Sequence, residues 1–569
     1  MLNQTSNQPE PKPVFSHWQF RFHSKRALWY TLTLVLAACI ALPMFYIISG
    51  LFEPAGASWK HLQHTVLSSL ILNTALLMVQ VAVYTSVLGI GTAWLISATD
   101  FPGRRIFSWA LFLPLATPSY IVAYVYTDLL DFSGPVQSTL RQLFDLQPGQ
   151  YYFPKIRSLP GAAFVISLVL YPYVYLLTRT AFSQRSSTLF NAARSLGASP
   201  SRAFLRIALP AARPAIFGGL ALVLMETLAD FGVVEYFGIP TFSTGIFRTW
   251  YALGDHAGAV KLAGIMFVFV VALVLLEKYN RKGITARHSR DYANQAIPLH
   301  GAKAIAAIFI CLCPILLGCL IPLARLLYLA STSGDNLFGT SYWELIENSV
   351  SVATIASITT IVIALYFTLS QRIFRSRLTN FFTGIATMGY ALPGVLLAVG
   401  LLAPVTWLDR QLADFFLAHF DWHSGLLLTG TTFILIYAYS IRFLTVAYNS
   451  CASGLDNIPP TFEHVARSLG ANPRRLIQSI LLPMLRKPLF VASILLFVDT
   501  LRELPATLML RPFNFETLAT RVYRLASDER LAEASTAAIT IVIIGLIPIL
   551  IMNRLADKEF FSSTEKHSH

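Results

Sequence analysis

The chain has 569 residues, of which 55% are hydrophobic and 13% charged, with a mean hydropathy of +0.58. Soluble proteins carry about 25% charged residues, so this composition cannot clothe a globular surface and excludes a soluble enzyme. The formal charge is nonetheless +14, from 43 Lys+Arg against 29 Asp+Glu, an excess that in a soluble protein would point to nucleic acid.

A bilayer core takes about 20 apolar residues per helix, and twelve segments qualify. In the first half they fall at 28–51, 66–96, 106–128, 160–182, 214–236 and 258–277. In the second they fall at 303–330, 346–370, 380–404, 425–448, 488–510 and 532–553. Within the first span, Leu36-Ala37-Ala38-Cys39 resembles a lipoprotein cleavage box. A 27-residue polar tail precedes that run and the run continues to Leu51, so the segment reads as an uncleaved helix. Cys311, Cys313 and Cys319 fall on different faces of the seventh span. Together with Cys39 and Cys451 they read as small buried hydrophobes, and neither a metal site nor a disulfide is predicted.

Twelve spans put both termini on one side of the membrane. The tails and loops of that side hold 29 of the 43 Lys+Arg, which by the positive-inside rule makes it cytoplasmic. The charge excess is therefore a topology signal rather than a nucleic-acid signal, and no nucleic-acid partner is expected.

The chain also contains a long internal repeat. Ala193-Arg194-Ser195-Leu196-Gly197-Ala198 recurs as Ala466-Arg467-Ser468-Leu469-Gly470-Ala471, and 12 of 22 positions are identical between 193–214 and 466–487. Weaker echoes pair Asn73 with Asn348, Leu113-Pro114 with Leu392-Pro393, and Tyr171/Tyr173 with Tyr437/Tyr439. The tyrosine offset is seven residues shorter than that of the strong motif, which implies a longer loop in the second copy. A six-span unit has been duplicated. An even number of spans makes the copies parallel, related by an axis along the membrane normal. The organisation expected is a tail 1–27, a first half 28–282 with its loop at 183–213, a linker 283–302, a second half 303–555 with its loop at 449–487, and a tail 556–569.

The strong motif reads as two short helices joined by a turn outside the membrane. A helix ending at Leu196 or Leu469 meets Gly197 or Gly470, suited to a left-handed cap. Ser199-Pro200 and Asn472-Pro473 then supply an N-cap and a proline at the first helical position. A mere connector is usually short and variable, whereas this segment of about 30 residues is the best-matched part of the two halves. Surfaces that dock a partner explain that better.

The motif resembles the EAA loop of the inner-membrane permeases of ABC importers, whose family pattern is Glu-Ala-Ala, three residues, then Gly. Here the copies read Asn191-Ala192-Ala193 before Gly197, and His464-Val465-Ala466 before Gly470 with Glu463 one place early. The family's glutamate is thus absent from its usual position in both. The chain is most similar to the fused permeases of the ferric iron type, through the two loops, through Ala229-Asp230-Phe231-Gly232-Val233-Val234-Glu235-Tyr236-Phe237-Gly238, and through the stretch from Arg511 to Thr520 and Leu525-Ala526-Ser527-Asp528-Glu529-Arg530. Thiamine permeases share the fused architecture, which leaves thiamine or another small solute as the alternative cargo. The resemblance implies an all-α polytopic membrane protein with the type I permease fold, set in the bacterial inner membrane. It further implies coupling helices at the two loops that enter two cytoplasmic ATPase subunits, and a periplasmic iron-binding protein that delivers cargo. No Gly-x-x-x-x-Gly-Lys-Ser/Thr loop occurs in the chain, so ATP hydrolysis is expected in trans and the chain itself is not expected to be an enzyme or to hold a cofactor. A secondary transporter would have no use for two matched docking loops.

Charges inside the spans complete the reading. Glu226 and Asp230 are four residues apart on the fifth span, and the repeat places Asp499 and Glu503 equivalently on the eleventh. Glu226 lies about 20 Å along the helix from Arg213, near mid-bilayer, where ionisable groups face the bundle interior or a water-filled path. Two readings stand side by side: the four carboxylates line a translocation route, as hard oxygen ligands would for a hard cation, or Arg502 pairs internally with Asp499 or Glu503. No stable metal site is expected, because a tight cage would stall transport. The tyrosines at 171, 173, 437 and 439 read as packing or interfacial anchors, and Arg442 as a side chain snorkelling from its span.

Overall fold

The computed structural model describes residues 16–54, 57–147, 150–182, 197–281, 297–333, 339–374, 376–387, 389 and 392–565. The apolar runs form helices because a spanning segment has no water to satisfy its backbone and must close its hydrogen bonds within itself. Among the described residues nine helices are long and apolar enough to cross a membrane: Leu28–Gly50, Leu67–Ala98, Leu159–Ala181, Phe204–Ala229, His256–Glu277, Ala302–Thr332, Ser341–Ile373, Gly394–Phe420 and Leu531–Ile551. Two helix pairs qualify as bent spans, Arg104–Ala116 with Ser119–Phe144 at 88° and Pro473–Met484 with Arg486–Leu501 at 68°. The segment expected at 425–448 is the 24-residue helix Phe433–Asp456. It is long enough to cross but less apolar, and its Ile434, Leu435, Ala438 and Ile441 pack in the protein core rather than against lipid. Terminal helices reach into the expected tails: the first begins at Ser16 and the last ends at Glu565.

Four expected spans do not run straight. The third breaks at Thr117-Pro118 and the ninth before Pro393, because proline offers no amide to the preceding turn and forces its neighbour out of the helical region. Pro118 and Pro393 take the same extended conformation, φ −57 and ψ 141 against φ −57 and ψ 144, and each caps the helix that follows, Ser119–Leu130 or Gly394–Phe420. The counterpart of Leu392-Pro393 is therefore Thr117-Pro118, not Leu113-Pro114. The fifth span stops at Ala229 and gives way to a short helix Gly232–Tyr236; the eleventh stops at Leu501 and gives way to Pro505–Leu510.

Side-chain bonds repeat between the halves. Asn73 Nδ2 donates to the Pro240 carbonyl at 3.0 Å, and Asn348 Nδ2 donates to the Glu516 carbonyl at 3.2 Å. Reciprocal capping boxes, Thr241 with Thr244 and Thr517 with Thr520, start Phe242–Tyr251 and Leu518–Ser527. The tyrosine echo is corrected. Tyr171 donates its hydroxyl to the Leu111 carbonyl at 2.9 Å, and the residue that does the same work in the second half is Thr445, bonded to the Thr387 carbonyl at 2.6 Å. With that register the two halves keep step and no longer loop is needed in the second copy.

Each half sends its first span across to the other. Leu28–Gly50 packs on Arg377–Ala386 and Gly394–Phe420, while the seventh span, Ala302–Thr332, packs on the bent third span. One buried cluster accordingly joins Ala37, Ile40 and Ile47 to Val395, Leu396 and Val399. A two-residue parallel bridge, Thr99–Asp100 with Ile297–Pro298, ties the end of the expected linker to the first half.

Candidate functional site

The repeated loop has the predicted local chemistry. In the second copy the helix Pro460–Ser468 ends at Leu469, Gly470 turns the chain at φ +81, and the Asn472 side chain accepts from the Arg475 amide at 2.8 Å to start Pro473–Leu476. In the first copy Ala193, Arg194, Ser195 and Leu196 lie outside the described residues. Gly197 turns at φ +87, Ala198 follows it, and Ser199 Oγ accepts from the Arg202 amide at 3.4 Å ahead of Pro200–Ala203. A five-residue π-helical segment follows in both copies, Phe204–Ala208 and Ile477–Leu481.

The helix Pro460–Ser468 is two-faced. Glu463 and Ala466 are buried, while Phe462, Val465 and Leu469 are 49%, 58% and 80% exposed. Their spacing puts those three on one stripe, so the loop presents apolar side chains outward at the place where the sequence predicts a partner. Arg467, Ser468 and Gly470 are exposed around it, and Ala471 is half-buried.

The breaks in the third, fifth and eleventh spans converge on one cavity between the halves, of about 130 Å³, and the start of the ninth-span helix at Gly394 lies against one of its lining residues, Glu503. All four predicted carboxylates, Glu226, Asp230, Asp499 and Glu503, line it, joined by Arg442, Arg502, Tyr120 and Tyr173. Only Glu226 and Asp499 stand on the long helices. Asp230 and Glu503 lie just past the helix ends, so the expectation of one continuous helical face is corrected.

Asp230 and Glu503 hold the breaks together. Asp230 Oδ1 accepts from the Val233 amide at 3.0 Å and Oδ2 from the Ser119 hydroxyl at 2.6 Å. Glu503 accepts from the Ala506 and Thr507 amides, both at 3.1 Å, and from the Thr507 hydroxyl at 2.9 Å. Each carboxylate thus caps the short helix after it, where free amides and the helix dipole favour negative charge. Each also abuts the start of the helix after the proline break, Asp230 through Ser119 and Glu503 through Gly394.

Asp499 pairs with Arg502 at 2.5 Å, and Arg502 Nη1 donates to the Leu115 carbonyl of the first half at 2.8 Å. The internal ion pair of the second reading therefore forms, yet both partners line the cavity. The two readings are compatible. Arg442 does not snorkel: its guanidinium turns inward and stands 3.7 Å from Glu503. The sequence reading placed this side chain at the interface and missed its inward turn, although Arg442 is the one charged residue between 425 and 448. Tyr171, Tyr437 and Tyr439 do pack, bonding to the Leu111 carbonyl, the Cys39 carbonyl and the Thr507 hydroxyl, while Tyr173 lines the cavity. Cys311, Cys319 and Cys451 are buried, Cys313 is half-buried, and Cys39 is exposed on its span, against expectation. Among the described residues no group of three or more His, Cys, Asp and Glu could hold a metal ion.

Comparison with known proteins adds the family context. The family described as binding-protein-dependent transport system inner membrane component matches twice, over residues 85–278 and 360–560. Over 540 residues the chain is 25% identical to the Fe(3+)-transport system permease protein FbpB 2 of Haemophilus influenzae, covering 93% of this chain and 99% of that protein. It is 24% identical to the probable ABC transporter permease protein y4fN of Sinorhizobium fredii, covering 80% and 82%. The molybdenum transport system permease protein ModB of Escherichia coli is 29% identical over 213 residues, 36% of this chain and 88% of that protein.

Proposed function

This chain belongs to the family of binding-protein-dependent transport system inner membrane components, as a multi-pass permease of an ABC importer carrying the family's unit twice, and from that premise we propose that it translocates ferric iron. The observation that carries the proposal is the cavity between the halves, where four carboxylates face two guanidinium groups. A net negative, oxygen-rich lining favours a hard cation over an oxyanion. The full-length similarity to a permease named for Fe(3+) supports the same reading. Separated charges suit an ion in transit, which must bind weakly enough to leave.

The energy arrives from outside the chain. The apolar stripe on the second loop and the matching motif in the first support two ATPase subunits, one under each half, that rock the halves around the cavity. A periplasmic iron-binding protein loads the opposite face. The loop side, with both termini, is cytoplasmic by its lysine and arginine excess, and the organisation into 28–282 and 303–555 around a linker follows the repeat.

A second reading, an anionic cargo, has two observations in its favour: Arg442 and Arg502 line the same cavity, and some relatives are named for molybdenum transport. Uptake of radiolabelled ferric iron in a deletion strain lacking other ferric importers, with and without the restored gene, decides between them. Restoration of iron uptake supports the proposal. Restoration of molybdate, sulfate or thiamine uptake with no effect on iron overturns it.

A further inference from the structure

The loop-side end of the helix Thr340–Phe374 is bonded to three other elements within seven residues. Tyr366 donates its hydroxyl to the Trp29 carbonyl at 2.7 Å and stacks on the Trp29 ring, whose Nε1 donates to Ser370 Oγ at 2.6 Å. Gln371 accepts from the Tyr448 hydroxyl. Arg372 Nε donates to Glu463 Oε1 at 2.6 Å, and its Nη2 donates to the Ile458 carbonyl at 2.8 Å.

The last of these ties reaches the docking loop. Glu463 sits in the first turn of the helix Pro460–Ser468, and the side chains of Arg372 and Glu463 are only 14% and 8% exposed. Around them lies an apolar cluster that includes Leu369, Leu455, Ile458 and Ala466. In such surroundings a charge-assisted bond is short and stiff, and removing either partner strands a buried charge. One repeat earlier the corresponding positions are Ser97 and Phe190, so the first half cannot form this ion pair.

We propose that the Arg372–Glu463 pair is the rigid link through which the second docking loop moves Thr340–Phe374 and, through Trp29, the first half of the chain. Both residues are positioning residues for coupling. The acid one place early in the second loop is committed inward to this link and does not face the ATPase, which meets Phe462, Val465 and Leu469 instead. The link makes the two docking loops unequal: the second carries an ion pair to its span at positions where the first has Ser97 and Phe190.

The proposal rests on the docking reading of the loop, and the test separates the two. The full chain is assembled with its two ATPase subunits in proteoliposomes, with its native cysteines replaced and a single reporter at Tyr173→Cys in the cavity. In the reference protein, trapping with ATP and vanadate changes the rate at which the reporter reacts with an impermeant thiol reagent. Glu463→Gln and Arg372→Met are expected to shrink that nucleotide-dependent difference by about tenfold while ATP hydrolysis stays within about twofold. The double exchange Glu463→Arg with Arg372→Glu restores part of it. Arg372→Lys, which neutralises Glu463 but cannot bridge it and Ile458 together, serves if the neutralised variants fail to assemble, and lowers the difference about threefold. A nucleotide-dependent difference left intact in these variants, or one that falls in parallel with hydrolysis, overturns the link. Failure of Leu469→Cys to cross-link to an ATPase subunit overturns the docking reading instead.

Discussion

Gly394 lies so close to Glu503 that a β-carbon on residue 394 would stand 2.6 Å from the carboxylate Oε1 and 2.8 Å from Nη1 of Arg442. Glycine is required there by space, since its backbone runs into a buried carboxylate whose oxygens are already held by amides. Gly394→Ala must displace that pair, and overpacking of this kind costs about 1–3 kcal/mol. Gly384, with nothing within 4 Å of the same virtual atom, is the control, because alanine in an open helical position is neutral or mildly stabilising. Thermal unfolding of the two purified variants checks this. Equal midpoints would show that the site yields freely.

The four cavity carboxylates should respond differently to amides. Asp230 and Glu503 act as caps, and an amide keeps one oxygen to accept the backbone bonds, so Asp230→Asn and Glu503→Gln should leave a folded protein with a loss of about 1 kcal/mol in stability. Glu226 and Asp499 stand on the long helices Leu209–Ala229 and Arg486–Leu501 rather than ahead of a short one. If, as proposed, their negative charge serves a ferric cargo, Glu226→Gln and Asp499→Asn should lower ferric uptake about tenfold or more with normal assembly on the ATPase subunits. Uptake measured side by side in all four variants decides the matter. Normal uptake in Glu226→Gln and Asp499→Asn would leave those two with a packing role alone.

Much of this site could be read from residue order alone, because the repeat marks its own important positions. The glycine turns at 197 and 470, the asparagines at 73 and 348, and the paired acids all follow from one alignment of the chain on itself. The break in the fifth span was not visible, since 214–236 is apolar on both sides of its carboxylates and periodicity runs straight through, whereas Pro118, Pro393 and Pro505 mark the breaks in the third, ninth and eleventh. What ends the fifth-span helix is tertiary: a carboxylate that finds free amides in the next short helix. The direction of Arg442 depends likewise on which side of Phe433–Asp456 meets the other half. The tyrosine pairing misled because aromatic residues two apart recur readily in apolar segments, whereas the bonds of Tyr171 and Thr445 to equivalent carbonyls fix the register.

Orientation follows from the charge distribution and is open to a direct test. With the repeated loops and both termini inside, a fluorescent reporter fused after His569 should fold and glow, and alkaline phosphatase fused there should be inactive. Phosphatase inserted in the segment between Ser119–Phe144 and Leu159–Ala181, or in the one between Gly394–Phe420 and Phe433–Asp456, should be active, because this topology puts both on the opposite side. The inverse pattern would place the docking loops where no ATP is available and would overturn the energy source along with the topology.

The exposed stripe on the second loop makes the sharpest prediction about partners. Leu469 is 80% exposed and stands with the exposed Val465, while Glu463 and Ala466 of the same helix are buried. On the docking reading, an ATPase subunit covers this apolar side chain. Truncating or charging the central apolar contact of an interface typically costs about 2 kcal/mol or more, close to thirtyfold in affinity. Leu469→Asp should therefore weaken capture of one ATPase subunit by about that factor, and the matched change Leu196→Asp should weaken capture of the other. Each single variant is expected to retain one subunit in native mass spectrometry, and the double variant none. Charging Arg467 to Glu, an exposed position off the stripe, should change little. Two subunits held at full strength by the double variant would remove the loops from the interface, and with them the route by which hydrolysis in one protein becomes movement in another.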